Sequence, residues 1–226
     1  MNYTYVNVLA EGHAEREFVG DTLFKYFQPS GLILDSRCVM TSRKMHKKGG
    51  LISYQMAKND LLRWIAEEKG RLPFFTTMFD LYALPNDFPE YEAAQKIDDP
   101  YQKVDFLEQA FAADINHPRF IPYIQLHEFE TLLLANPDVL LLEYLDAQKQ
   151  IDQLKEIVIK HDNNPEKVNT GKTTAPSKRI ISLIPEYEGS KVSVGAVLAG
   201  FNGIEVLKQR CPHFADWINK IHNTHR

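Results

Sequence analysis

Acidic residues stand at the ends of three apolar segments of this sequence. Glu11 follows "YVNVLA", and Asp80 follows "FFTTMF". Glu128 and Glu130 end the segment "FIPYIQLHEFE". Carboxylate oxygens are the ligands that Mg²⁺ and Mn²⁺ prefer, and two such ions can activate water and stabilise the leaving oxygen in phosphodiester cleavage. We therefore predict a Mg²⁺ or Mn²⁺ site in which these four acids are the metal ligands.

The spacing of Glu11, Gly12 and Glu15 can bring the two carboxylates to the same place. Glycine lets the backbone turn sharply after a strand and leaves the space above Glu11 open. Glu15 would then project toward the same place from the first turn of a helix, whose free N–H groups can meet a phosphate. We predict catalytic roles for Glu11 and Glu15. The alternative is that Glu15 and Glu17 only complement the helix dipole.

The other acids also have structural interpretations. Asp80 could begin a loop by accepting a local backbone hydrogen bond, and Glu128 and Glu130 could be solvated acids at a helix start. His127 and Glu128 do not form a zinc-protease helix, because the second histidine of that motif is replaced by Thr131. An isolated histidine such as His127 is more often a hydrogen-bonded structural residue than a ligand.

Two basic segments are candidates for holding phosphate groups. The first contains Arg43, Lys44, Lys47 and Lys48 and follows a predicted strand, so it could bind a nucleic-acid backbone or be a solvated loop. The second, 170–180, has Gly-Lys-Thr but lacks the first glycine of a P-loop and a preceding apolar strand. There we predict that Lys172 and Lys178 steady the scissile phosphate and that Arg179 binds nucleic acid.

The elements that would position these residues alternate between strand and helix. Apolar runs near residues 4–10, 32–40, 73–80 and 120–130 predict strands, and amphipathic patterns between them predict helices. Such alternation favours a mainly parallel sheet flanked by helices, with ligands at the carboxyl ends of the strands. After residue 135 the pattern is helical. We predict an α/β core over 1–135 and a helical extension over 136–226 that packs on it.

Composition limits the class of protein. The chain has 226 residues, of which 44% are apolar, enough for a substantial core. Its net charge of −4 argues against a surface that is basic throughout. Its two cysteines, Cys38 and Cys211, do not suggest a disulfide framework, and no apolar run is long enough to cross a membrane. We expect a cytoplasmic protein without a membrane partner. Trp64 and Trp217 lie on apolar helical stripes and are expected in the core.

Three stretches together resemble the Toprim domain, the metal-binding α/β module of topoisomerases, primases and the overcoming-lysogenization-defect (OLD) nucleases. They are "LAEGHAE", "FFTTMFD" and "IQLHEFETLLL". More closely, the chain resembles a bacterial Toprim-like family known as a domain of unknown function. The stretches that carry this resemblance are "LYALPNDFP", "PYIQLHEFETLLL", "TAPSKRI" and "CPHFADWI".

The resemblance assigns roles to particular residues. Glu11 matches the Toprim glutamate that binds metal or transfers protons, Glu15 the second glutamate of the nuclease pattern, and Asp80 the first aspartate of a DxD motif. Glu128 or Glu130 resembles the acidic pair after a later strand. The chain departs from DxD because Tyr82 replaces the second aspartate, for which Asp87 could compensate. Relatives of this kind are often encoded beside ATPases in anti-phage defence loci, which implies such a partner.

Three functions are compatible with these features. The first is a metal-dependent nuclease acting on DNA or RNA, for which a homodimer is one expected form. The second is a non-catalytic interaction module that has lost its metal site and binds an ATPase. The third is phosphoryl transfer on nucleotides without strand cleavage. The acids at the strand ends favour the nuclease, whereas Tyr82 favours the other two.

Overall fold

A parallel β-sheet lies at the centre of the protein. The computed structural model describes residues 3–40, 51–68, 70–169 and 171–225. The strands are β1 (Thr4–Ala10), β2 (Leu32–Cys38), β3 (Phe74–Asp80), β4 (Phe120–Ile121) and β5 (Ile124–Gln125). Their order is β2-β1-β3-β4, with β5 also paired to β3, and every pairing is parallel. The predicted fold class, a mainly parallel sheet flanked by helices with helices at the C-terminal end, is confirmed.

Helices connect and cover the strands. The α-helices of the first half are α1 (His13–Glu17), α2 (Phe24–Phe27), α3 (Tyr54–Glu67), α4 (Tyr91–Ala94) and α5 (Pro100–Ile115). Those that follow the sheet are α6 (Thr131–Leu134), α7 (Gln148–Lys160), α8 (Pro176–Leu183), α9 (Tyr187–Phe201), α10 (Ile204–Arg210) and α11 (Pro212–His222). A π-helical segment, Phe18–Leu23, joins α1 to α2. Short 3₁₀ turns complete the chain at Gln28–Ser30, Leu81–Ala83, Pro137–Leu142, Pro165–Lys167 and Asn223–His225.

The sheet separates two hydrophobic clusters. Side chains alternate between the faces of a strand, so Val6 and Val8 of β1 pack on one side and Leu9 on the other. The first side is covered by the π-helical segment and the helices that follow the sheet, and the second by α3 and α5. The central strands are buried on both faces, which is why they read as continuous apolar runs.

The predicted fourth strand is only partly formed. Pro122 has no N–H to donate to a neighbouring strand, and it separates β4 from β5. Residues 126–130 are not extended and lead into α6 instead. The prediction of one strand through Glu130 was therefore wrong, and the acids Glu128 and Glu130 lie in a turn beyond the strand end.

The later helices pack directly on the sheet. Trp217 of α11 is 1% exposed, stacks on Tyr123 with ring centroids 4.1 Å apart, and donates its indole N–H to Thr76 Oγ1 at 2.8 Å. Trp64 is also buried, so both tryptophans are core residues as predicted. Because one cluster contains residues from both parts of the chain, the division at residue 135 stays a prediction.

In the described ranges, no single helix is long and apolar enough to cross a membrane. The consecutive helices α9 and α10 reach that length and composition only when taken together across an 88° bend.

Candidate metal centre

Glu11 and Asp80 meet at the carboxyl edge of the sheet. Strands β1 and β3 are adjacent, and the N–H of Glu11 continues their pairing by donating to the carbonyl of Met78 at 3.0 Å. The Glu11 carboxylate then turns toward the end of β3, where its Oε2 accepts the N–H of Asp80 at 2.9 Å. Its Oε1 accepts the N–H of Leu51 at 3.2 Å. Two backbone donors from different segments therefore hold the Glu11 carboxylate in place.

The environment of Glu11 raises its affinity for a proton. Burial, followed by repulsion from Glu15 and Glu128, raises its pKa to about 7, although the N–H groups of Asp80 and Leu51 oppose this rise. A carboxyl group with a pKa near neutral pH exchanges protons readily, which is the property required of a general acid or base.

Asp80 lies in the least favourable position for a negative charge. Burial raises its pKa well above the ordinary value, and repulsion from Glu11, Glu15, Glu130 and Glu128 adds to this effect. Its Oδ1 is buried and has no hydrogen-bond partner within the described part of the chain. Buried polar atoms are nearly always paired, so an unpaired carboxylate oxygen among four other acids is an atom that a cation could bind.

Glu15 both caps its helix and belongs to the acidic cluster. Its Oε2 accepts the N–H of Gly12 at 3.0 Å, and the side chain is largely buried. Burial raises its pKa, repulsion from Glu130 adds to the rise, and Lys191 opposes it. The backbone of Gly12 is extended, a conformation open to any residue, but an added Cβ would lie 3.0 Å from the Glu15 carboxylate and would shift it slightly.

The two acids beyond β5 are already engaged. Glu128 Oε2 accepts the N–H of Ser177 in the first turn of α8 at 2.9 Å, so Glu128 caps that helix. Glu130 Oε1 lies 3.1 Å from the Nζ of Lys191 and 3.4 Å from the hydroxyl of Tyr187. Glu128 and Glu130 therefore have structural roles. Their negative charges still raise the pKa of Asp80.

Among the described residues, Lys191 supplies a positive charge to this site, and it was not predicted from the sequence. It comes from α9, more than 100 residues after β3 along the chain. Burial lowers the pKa of its ammonium group, but Glu130, Glu128 and Asp80 more than offset this and raise it. Neither its neighbours in "EGSKVSVG" nor its spacing distinguishes it from a surface lysine, so only the packing of α9 against α1 reveals it.

The predicted phosphate-binding residues are spread over several places. Lys172 lines a groove beside Tyr82, and Lys178 is exposed on α8. Arg179 donates its Nε–H to the carbonyl of Thr174 at 2.7 Å. No contact in the described structure joins Lys172 or Lys178 to the acids, so their catalytic roles stay predictions. The remaining basic residues of the prediction lie outside the described residues: Arg43, Lys44, Lys47 and Lys48.

Asp87 does not replace the missing acid of the DxD pattern. Its carboxylate accepts hydrogen bonds from the hydroxyl of Ser53 at 2.7 Å and from the N–H of Tyr54 at 2.9 Å. It therefore caps α3 from a distant loop. His127 is likewise structural, since its Nε2 lies 2.8 Å from the carbonyl of Glu166 and burial lowers its pKa to about 4.

A second group of ligand types lies elsewhere in the fold. Asp105, Glu108 and His213 have atoms within 4.8 Å of one another, a spacing that can hold a metal ion, and none of them was predicted. The Nε2 of His213 is 3.0 Å from both Glu108 Oε1 and the Ile124 carbonyl. Glu108 Oε1 also accepts the N–H of Ile124 at 2.8 Å. The Glu108 and His213 atoms have protein partners, which favours a structural ion pair between these two residues over a metal site.

Comparison with known proteins places the chain in a family. No curated protein matches it. Among solved structures, the C-terminal region of the Burkholderia pseudomallei OLD protein is similar, with a TM-score of 0.45 and 14% identity, over 99% of this chain and 100% of that one. Residues 10–222 match the family described as "Domain of unknown function (DUF4276)", and the chain belongs to that family.

Proposed function

We propose that the protein is a nuclease that hydrolyses phosphodiester bonds with Mg²⁺ or Mn²⁺, in the manner of Toprim nucleases. The observation that supports this most strongly is the buried, unpartnered Oδ1 of Asp80 beside the Glu11 carboxylate. Hydrogen bonds within the protein account for the other acids. Asp80 Oδ1 has no such bond within the part of the chain that the structure describes.

The donor set fits a hard divalent cation. Mg²⁺ binds oxygen atoms and usually keeps several waters beside one or two carboxylates, so it does not require a complete protein cage. Asp80 and Glu11 would hold it, with Glu128 or Glu130 contributing nearby charge. When bound, such an ion polarises a phosphate oxygen and lowers the pKa of its water.

The protein's own residues then have distinct tasks. Without a bound ion, Glu11 can accept or release a proton near neutral pH, because burial raises its pKa to about 7. Two backbone N–H groups fix the orientation of its carboxylate for a metal ion. Glu15 holds the turn at Gly12 and adds negative charge. Lys191 fixes Glu130 and limits the repulsion within the cluster.

A non-catalytic interaction module remains the second candidate. Glu128 and Glu130 are engaged by Ser177 and Lys191, and Tyr82 stands where the second aspartate of a DxD pair would be. The exposed apolar residues Val197 and Phe201 of α9 would suit a partner protein. In either case we propose a bacterial cytoplasmic setting, with an ATPase partner in anti-phage defence.

The test combines cleavage with metal binding. The purified protein is incubated with plasmid, single-stranded DNA and tRNA plus Mg²⁺ or Mn²⁺, alone and with the product of any neighbouring ATPase gene. We expect cleavage that is lost in Glu11→Gln and Asp80→Asn and kept in Glu17→Gln, whose side chain is exposed. Equal cleavage by Glu11→Gln and the native protein would reject the nuclease. Calorimetry showing no divalent-metal binding, with a stable ATPase complex, would favour the interaction module.

A further inference from the structure

A groove of about 610 Å³ is lined in part by the segments that follow β3 and β5. Tyr82, two residues after Asp80, and His127, one residue before Glu128, both line it. The N–H of Tyr82 donates to the carbonyl of His127 at 2.9 Å, so the two strand ends that supply the acids also form one wall of the groove. A ligand in this groove would therefore contact the same two chain segments that carry Asp80 and Glu128.

The groove offers an exposed aromatic face. Tyr82 is 43% exposed although it follows a buried strand, and no ring contact with another described residue covers it. Tyr91 lies on the same groove and is half-buried. An aromatic side chain that is partly exposed in a groove is suited to stacking against a planar group, and every nucleobase has such a face.

The groove also offers unpaired positive charge. Lys103 and Lys172 line it, and neither ammonium group forms an ion pair with any other residue that the structure describes. Asp98 is the acid on the same surface. A polyanion approaching the acidic cluster would be repelled, and lysines at the entrance would offset that repulsion by contacting phosphates.

We propose that this groove binds single-stranded nucleic acid, with a base stacked on Tyr82 and the backbone held by Lys103 and Lys172. This rests on the proposed function, because a strand in the groove would lead to the acids that cleave it. A single strand fits better than a duplex, since bases in a duplex are stacked on each other and cannot offer a face to Tyr82. Tyr82, which stands where the DxD pattern has its second aspartate, would then contact the substrate instead of a metal ion.

Binding measured without divalent metal tests the groove separately from cleavage. Fluorescence anisotropy in EDTA would use a labelled single-stranded DNA or RNA of about 12 nucleotides, the matching duplex, and a labelled mononucleotide. We expect the single strand to bind best, and Tyr82→Ala to weaken its binding at least about fivefold, while Tyr82→Phe keeps it. Tyr3→Ala is the matched control, because Tyr3 is 51% exposed and lies outside the groove.

Salt dependence tests the lysines. For single strands the slope of log K against log salt changes by about 0.7 for each phosphate contact, so Lys103→Ala and Lys172→Ala should each reduce it by about that amount. Lys149→Ala, on the exposed surface of α7, removes the same charge and should change the slope little. Slopes equal to that of the native protein in both groove variants would overturn the proposal.

The outcomes separate the groove from the proposed nuclease. Binding that depends on Tyr82 and both lysines, in a protein that cleaves nothing, supports the groove and rejects hydrolysis. Cleavage with native binding in Tyr82→Ala rejects the groove and leaves hydrolysis standing. Tighter binding of the duplex or the mononucleotide than of the single strand would also overturn the groove assignment.

Discussion

The metal-free protein is expected to lose stability as pH rises through neutrality, and Glu11 is the residue that makes this measurable. Its pKa rises from 4.5 to about 7 on folding, mainly because of burial. A carboxyl group with a raised pKa keeps its proton in the folded state at pH values where the unfolded chain has lost it. Its contribution to stability is therefore full below about pH 4.5 and is lost as pH rises to about 7.

The magnitude follows from the size of the change. At about 1.4 kcal/mol per pKa unit, Glu11 removes roughly 3 kcal/mol of unfolding free energy between pH 4.5 and 7. Between about pH 6 and pH 8, its share is roughly 1.4 kcal/mol, because the loss ends near pH 7. Urea unfolding in EDTA at those two pH values resolves a difference of that size when native and Glu11→Gln proteins are compared.

Between about pH 6 and pH 8, the free energy of unfolding of Glu11→Gln is expected to fall by about 1.4 kcal/mol less than that of the native protein, whatever the absolute stability of the variant. Glu17→Gln should follow the native protein, because Glu17 is exposed. Adding Mg²⁺ should reverse the native trend, since the ion binds the ionised form and its affinity grows with pH. An identical pH dependence in native and Glu11→Gln proteins would show that the burial and repulsion inferred for Glu11 are wrong.

Four further substitutions have distinct outcomes. Asp80→Asn should raise the melting temperature in EDTA and abolish stabilisation by Mg²⁺ in the same thermal scan, because it removes an unpartnered buried acid. Trp217→Ala should lower the free energy of unfolding by about 3–5 kcal/mol in urea titrations, since it leaves a cavity between α11 and the sheet. Glu166→Ala should cost at least about 2 kcal/mol in the same assay, because it leaves two N–H groups at the start of α11 unpaired. His213→Gln should lower stability yet preserve stabilisation by Mg²⁺, and loss of that effect would move the metal site to the second acidic group.

The sheet and the first two acids were predictable because their signals are local. Strands β1 and β3 are buried on both faces and therefore appear as apolar runs without alternation. A glutamate or aspartate directly after such a run has few structural explanations, and parallel pairing brings the strand ends together. The break at Pro122 also had a local signal, since proline cannot donate a ladder hydrogen bond.

The partners of the acids were not predictable, because they depend on helices packed from distant parts of the chain. Lys191 reaches Glu130 only because α9 lies against α1. Ser177 meets Glu128 through its backbone N–H, a group that every residue except proline possesses. Side-chain types therefore predict that the carboxyl edge of the sheet is acidic. Which of its acids have protein partners can be seen only from the fold.

The acids of the cluster differ in whether other groups of the protein compensate their negative charges. Glu128 and Glu130 are compensated by a helix N-terminus and a lysine, so their charges contribute to holding α8 and α9 in place. Within the described residues Asp80 Oδ1 has no hydrogen-bond partner, and burial raises the pKa of this carboxyl group well above its ordinary value, so we expect Asp80 to lower the stability of the metal-free protein at neutral pH. Residues that lower stability and have no compensating interaction within the protein are concentrated at functional sites, where a ligand supplies that interaction. Tyr82, two residues after Asp80, lines the groove together with Lys103 and Lys172, which form no ion pair within the described residues, so the proposed nucleic-acid strand and cation can be tested on neighbouring parts of the chain.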